Sequence, residues 1–208
     1  MAQATDFPNL VSLACHDLRT PLATVAGFAG TLARDDELGE QQARYVGMIE
    51  AAASQLAGLL DTLAIVARIE AGRYEPALED VDTLELAQNA VMRLGEGQAG
   101  AGGQGAIASV DPDAVERALA ALALAALRHG SLERVELEVA GLQIGIGPVT
   151  SPAAPIVLAE DLRDLGAAAA NRILAALGGK LQLEGQRLLV TLPPSAPSSN
   201  EPITGGTT

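Results

Sequence analysis

Four side chains with complementary chemistry crowd into little more than one helical turn: His16, Asp17, Arg19 and Thr20, followed by Pro21. A neutral imidazole is a good nitrogen nucleophile near pH 7, because its ordinary pKa lies close to that value. Asp17 can orient the ring or accept its proton, and Arg19 can neutralise phosphate charge. Thr20, one turn past the histidine, can position a water. Phosphoryl transfer asks mainly for alignment and charge compensation, so a set this small is enough for it.

The elements that must hold this set are legible from apolar periodicity. Leu10, Ala14, Leu18, Leu22, Val25, Ala29 and Leu32 step by threes and fours, which predicts a helix over about Asp6–Arg34 with Asp6 as cap and Pro8 in the first turn. On a wheel of about 100° per residue, His16 falls almost opposite that stripe and is expected in solvent. Thr20, Ala23 and Gly27 continue its face, so an approaching partner is expected to meet Ser12, Ala23, Thr24 and Gly27 around the ring. Pro21 removes a backbone donor and predicts a bend just past the histidine. Asp35, Asp36, Glu37 and Gly39 mark a solvated turn. A second helix is predicted over Glu40–Ala71, ended by Gly72. Its residues Tyr45, Ile49, Ala52, Leu56, Leu59, Leu63 and Val66 form a heptad seam. Two helices cannot bury two such stripes alone, so a homodimer forming a four-helix bundle is expected.

The chain has 208 residues, enough for one large domain or two small ones, with 49% hydrophobic residues but only 2% aromatics and no Trp, so its core must be built from Leu, Ile, Val and Ala. A net charge of −13 argues against nucleic acid and anionic membrane surfaces as partners. Cys15 is the only cysteine, which excludes an internal disulfide and fits a reducing compartment. No basic-then-apolar leader or sensory segment is visible before Asp6, and the longest apolar run, Ala118–Leu127, is too short to cross a bilayer. A cytoplasmic location is expected.

After Tyr74 the composition changes. Helices are predicted over Val81–Leu94, over Asp113–His129 and within the segment ending at Gly178 and Gly179. Hairpins are predicted from Val135 and from Lys180. Gly95–Ala106 reads as a flexible linker whose spacing fits no phosphate loop. His129 is expected to serve the helix dipole, and Cys15 to pack as a small residue. No His, Cys and carboxylate set has metal-ligand spacing. Residues 1–73 are thus expected to form a helical hairpin, 74–194 an α+β domain, and 195–208 a disordered tail.

"HDLRTPL", His16 to Leu22, resembles the phosphoacceptor box of bacterial histidine kinases, H-[E/D]-L-R-T-P-L. "ARIEAGRYE" is similar to the exit of that family's dimerisation and phosphotransfer hairpin. The resemblance implies that His16 is the phosphoacceptor, that Asp17 assists its phosphorylation, and that Thr20 supports dephosphorylation of a partner regulator. It implies an ATPase-like sandwich next, but in worn form. "DPDAVERALAALALAALRHG" is similar to the first ATP-site helix, with Ala125 where an Asn normally chelates magnesium and Ala121 at a second Asn position. "LQIGIGPV" resembles the adenine-binding box, with Gly145 in place of its Asp; a short Pro/Ala segment from Thr150 to Asp164 replaces the lid. Asp164 stands at the first glycine of the last box, where an acid would repel triphosphate.

The expectation is an all-α hairpin followed by a degenerate α+β ATPase-like domain. Such a chain would be a dimeric histidine phosphotransferase, relaying phosphate between response-regulator receiver aspartates through His16. It would bind no cofactor and no metal of its own, Mg²⁺ residing on the partner receiver, with a hybrid histidine kinase as a candidate donor. A divergent active kinase and a non-catalytic regulator-binding scaffold are the alternatives, and a regulator phosphatase using Thr20 is a variant of the relay.

Overall fold

The computed structural model describes residues 6–34, 38–95 and 97–195. Helix α1 spans Asp6–Leu32 and α2 spans Glu40–Glu70, packed as an antiparallel hairpin. Helix α1 runs through Pro21 without interruption. The predicted turn at Asp35–Glu37, the side chain of the expected Asp6 cap, and the tail beyond Ser195 lie outside the described residues.

The inside of the hairpin is made of small residues. Cys15 and Ala29 of α1 and Val46, Ala53 and Ala67 of α2 are buried. Most of the larger apolar residues expected in the α1 stripe and the α2 seam stand outside instead, with Leu22, Leu63 and Val66 half-buried. Leu18 is 54% exposed and Leu56 53%, with Val25, Leu32, Tyr45, Ile49 and Leu59 also exposed. Each helix therefore carries two apolar faces, one used within the chain and one left over. This corrects the single stripe expected for α1: Leu18 and Val25 belong to the outer face, and Cys15 belongs to the inner one. Helix α2 also has an 18-residue stretch of mean hydropathy 1.4, apolar and long enough to cross a membrane by length and composition alone, a property that a search for uninterrupted apolar runs overlooks.

The second unit runs β1 (Glu79–Asp82), α3 (Thr83–Leu94), β2 (Ala99–Gly105), β3 (Ile107–Val110), α4 (Pro112–Gly130), β4 (Val135–Gly141), β5 (Gln143–Gly147), α5 (Ala154–Val157), α6 (Leu165–Ala176), β6 (Lys180–Glu184) and β7 (Arg187–Thr191). Strands β1 and β3 pair antiparallel, and the other five form a sheet ordered β2-β4-β5-β7-β6. Period-two alternation decides which face of the sheet is covered. Val135, Leu137, Ile144, Ile146, Leu188 and Val190 are fully buried in one core with the inner sides of α3, α4 and α6, whereas Glu136 and Glu138 face solvent. Each of the three helices starts on an aspartate: Asp82 accepts from Leu84 N at 2.7 Å, Asp111 from Ala114 N at 3.1 Å and Asp164 from Ala167 N at 3.0 Å.

The glycine-rich segment is not a linker. Residues 99–105 form β2, an edge strand paired parallel to β4 in register from Ala99↔Val135 to Gly105↔Gly141. Glycine is needed there for close approach. A methyl on Gly103, which has φ +119°, would collide with the Val139 carbonyl, and one on Gly105 with the Asp82 carboxylate. The second unit is held to the hairpin by α6, which packs on the end of α2, and by Arg172 Nε donating to Glu70 Oε1 at 2.8 Å.

Candidate functional site

Two facts fix the setting of His16: its side chain is 78% exposed, and its Nδ1 lies 3.1 Å from Asp17 Oδ1. With Nδ1 protonated and donating to the carboxylate, Nε2 presents its lone pair to solvent. The ring borders a shallow depression of about 580 Å³ formed with Arg19, Thr20, Ala23 and Thr24. Nothing lies within 4 Å of where a Gly27 methyl would be, so the face stays open one turn further on. The expected partner-facing residues Ala23, Thr24 and Gly27 are all exposed; Ser12 is half-buried, its hydroxyl oxygen buried with no hydrogen-bond partner among the described residues.

Two side chains lining the depression are already engaged. Arg19 Nη2 donates to Asp61 Oδ1 of α2 at 2.7 Å, so the guanidinium ties the two helices together at the level of the histidine. Thr24 Oγ1 donates to the Thr20 carbonyl at 3.1 Å. Asp61 was invisible as a site residue in the sequence, because nothing in a distant heptad marks it as the partner of Arg19.

In the second unit, Ala125 is fully buried and Ala121 half-buried on α4, and neither carries a donor atom for a metal. Gly166 of α6 closes on this face: a methyl there would sit 3.4 Å from Ala121 Cβ. Asp164 does more than occupy a glycine's place. Besides capping α6, its Oδ2 lies 3.0 Å from His129 Nε2 and 3.4 Å from Arg128 Nη1. Burial pushes its carboxyl up, but the Ala167 amide, His129 and Arg128 outweigh that and hold it below the usual carboxylate range. His129 thus reaches across to α6, a partner that the dipole expectation did not include. Gly145 pairs with Glu138 and Leu189, and a methyl on it would meet Arg187 Cδ at 2.7 Å. An acid at 145 would therefore point to the outer face of the sheet; the inward residue at that end of β5 is Ile146. Among the described residues, no group of three or more His, Cys, Asp or Glu side chains could hold a metal ion.

The described residues thus form a helical hairpin with an exposed histidine, followed by a mixed-sheet α/β unit. Residues 9–72 match the His Kinase A (phospho-acceptor) domain family. The sensor protein DivL of Caulobacter vibrioides is 38% identical over 88 residues, 42% of this chain and 11% of that protein. The sensor protein KdpD of Mycobacterium tuberculosis is 32% identical over 133 residues, 58% of this chain and 16% of that protein. The chain therefore spans only a small part of the curated relatives it matches. Among solved structures, full-length ShkA in complex with AMPPNP superposes with a TM-score of 0.64 at 24% identity, covering 91% of this chain and 47% of ShkA. The Acinetobacter baumannii histidine kinase AdeS gives 0.54 at 18% identity, covering 86% and 97%. Both likenesses concern the fold.

Proposed function

We propose that this chain is a dimeric histidine phosphotransferase of two-component signalling, taking phosphate from one response-regulator receiver and giving it to another. The observation that carries the reading is the exposed His16 with Asp17 on Nδ1 and an open face of small residues beside it. Nε2 attacks the phosphorus of the receiver's aspartyl phosphate. The N–P bond forms, the P–O bond to the aspartyl carboxyl breaks, and the carboxylate leaves with the electron pair. Asp17 holds the Nδ1 proton and stabilises the charge that develops on the ring. The second receiver's carboxylate then reverses the step. Mg²⁺ belongs to the receivers in this scheme, because the acyl phosphate they hold is where charge must be compensated.

The second unit is read as having lost nucleotide. Its residues do not fit a magnesium nucleotide: Ala121 and Ala125 offer no ligand, the start of α6 is occupied by the carboxylate of Asp164, and the inward residues of β5 are Ile144 and Ile146. The unused apolar faces of α1 and α2 support a second copy of the chain as the other half of a four-helix bundle. A cytoplasmic location belongs to the same proposal.

A divergent kinase is the second reading, favoured by the sensor-protein relatives and by the AMPPNP in the ShkA structure. One pair of incubations separates the two. The relay predicts label on His16 from receivers of the same genome phosphorylated with labelled acetyl phosphate, none from labelled ATP with Mg²⁺, and none in His16→Ala. Label from ATP alone overturns the relay in favour of the kinase. A biological effect that survives His16→Ala favours the scaffold.

A further inference from the structure

Charge is scarce along the stem. Residues 9–33 of α1 include only Asp17 and Arg19 among Asp, Glu, Lys and Arg, and residues 51–67 of α2 include only Asp61. All three gather at the histidine: Asp17 lies on the ring nitrogen Nδ1, and Arg19 Nη2 donates to Asp61 Oδ1 at 2.7 Å. Both side chains of the Arg19–Asp61 pair are about half exposed, and an ion pair so exposed adds little to stability. Arg19 borders both the depression beside His16 and a groove of about 360 Å³ between the helices, whereas Asp61 borders neither. The bond to Asp61 is the guanidinium's one hydrogen bond among the described residues. A guanidinium carries five N–H donors, so the others are left for a ligand in the depression.

We propose that Asp61 is a positioning residue for phosphate at His16: one oxygen of its carboxylate holds the Arg19 guanidinium beside the ring, and the remaining N–H donors meet the phosphoryl oxygens as Nε2 attacks. The proposal rests on the reading of His16 as phosphoacceptor, and not on which partner supplies the phosphate. His16 and Arg19 stand three residues apart on one face of α1, which puts their Cβ atoms about 5–6 Å apart. An unanchored arginine on an exposed helix face sweeps through many rotamers, and the entropy of fixing it must be met at each encounter. Tying it to α2 meets that cost in advance. Because Asp61 stays out of the depression, the order is carboxylate, guanidinium, phosphoryl group. The cation is next to the incoming charge, and its own counter-charge lies behind it, where repulsion of the phosphate is weaker. Asp61 touches neither the ring nor the phosphate and acts through Arg19.

The probe is phosphoramidate, a small donor that needs no docked protein: the bond from Nε2 to phosphorus forms as the donor's own N–P bond breaks and ammonia leaves. The full chain is compared with Asp61→Ala and Asp61→Glu, with His16→Ala as the blank. Asp61→Ala is expected to label about tenfold more slowly, and Asp61→Glu, which keeps the carboxylate, to recover most of the rate. In an Arg19→Ala background Asp61→Ala costs nothing further, because no guanidinium is left to hold. The phosphorus-31 resonance of the phosphorylated chain gives a readout that helix stability does not move. A fixed cation favours the phosphoryl dianion, so the group titrates at higher pH in Asp61→Ala than in the unsubstituted chain; loss of a mere neighbouring anion shifts it the other way. The melting temperature stays within about 2 °C, as for an exposed pair. Labelling at an unchanged or higher rate overturns the proposal. So does an additive loss in the Arg19→Ala background, or a phosphoryl titration that stays or moves down. Failure of the unsubstituted chain to label at His16 sinks the phosphoacceptor reading itself, and this role with it.

Discussion

Replacing Asp164 tests whether its carboxylate holds the start of α6 against the end of α4. Asp164→Ala removes the cap of α6, for about 1 kcal/mol, and leaves a half-buried His129 without its charged partner, for about 1.5 kcal/mol more. Arg128 is more than half exposed and adds little. The sum is about 2–3 kcal/mol, which at about 3–4 °C per kcal/mol corresponds to a fall in Tm of about 8 °C at neutral pH. Asp164→Asn keeps the cap and loses only the charge, so its Tm falls by about 5 °C. The pH dependence has a definite sign. The carboxyl titrates lower in the folded chain than in the unfolded one, so its charge stabilises the fold above the ordinary carboxylate range and ceases to do so as pH falls through the depressed value. The informative comparison is the unsubstituted chain against Asp164→Asn by scanning calorimetry from about pH 7 to about pH 3. The difference in Tm between the two is expected to close at the acid end. Equal Tm values for the Ala and Asn variants would refute the capping role, and a difference that persists undiminished to about pH 3 would refute the charge role.

Glutamate at Ile49 and Leu56 together is expected to convert the dimer to monomer in multi-angle light scattering, because both side chains lie on the unused face of α2. Asp17→Asn should slow His16 labelling by about tenfold to a hundredfold while leaving the melting curve within about 0.5 kcal/mol of the original, since the residue is exposed and acts on the ring alone. Gly103→Ala should destabilise the second unit by more than about 1 kcal/mol in urea unfolding, the methyl meeting both a positive φ and the Val139 carbonyl.

Long apolar periodicity made the hairpin readable: α1 and α2 end within two residues of their expected limits, and the exposure of His16 follows from its place on the wheel. Phase was harder. Of the expected stripe of α1 Ala29 is buried, but size alone favours Leu18 and Val25 over Cys15 as core, whereas closely packed helices need small residues inside. The strand at 99–105 escaped because strand signals lie in β-branched and aromatic side chains, and "AGAGGQG" has none; its pairing is carried by the backbone. Gly145 lies between the inward Ile144 and Ile146, so the face it takes is set by strand pairing, which a motif match does not read. The links from Arg19 to Asp61 and from Asp164 to His129 join residues far apart in the chain, each of an ordinary surface type.

The division of the stem into a tight interior and an open exterior has an evolutionary consequence. Cys15, Ala29, Ala53 and Ala67 admit little change, because larger groups would pry the helices apart. Ala23 and Thr24 touch so little of their own chain that most exchanges there shift folding free energy by about 0.5 kcal/mol or less. In the proposed relay, vocabulary for new signalling partners can therefore be rewritten along one side of α1 while the beam that carries the histidine stays as it is.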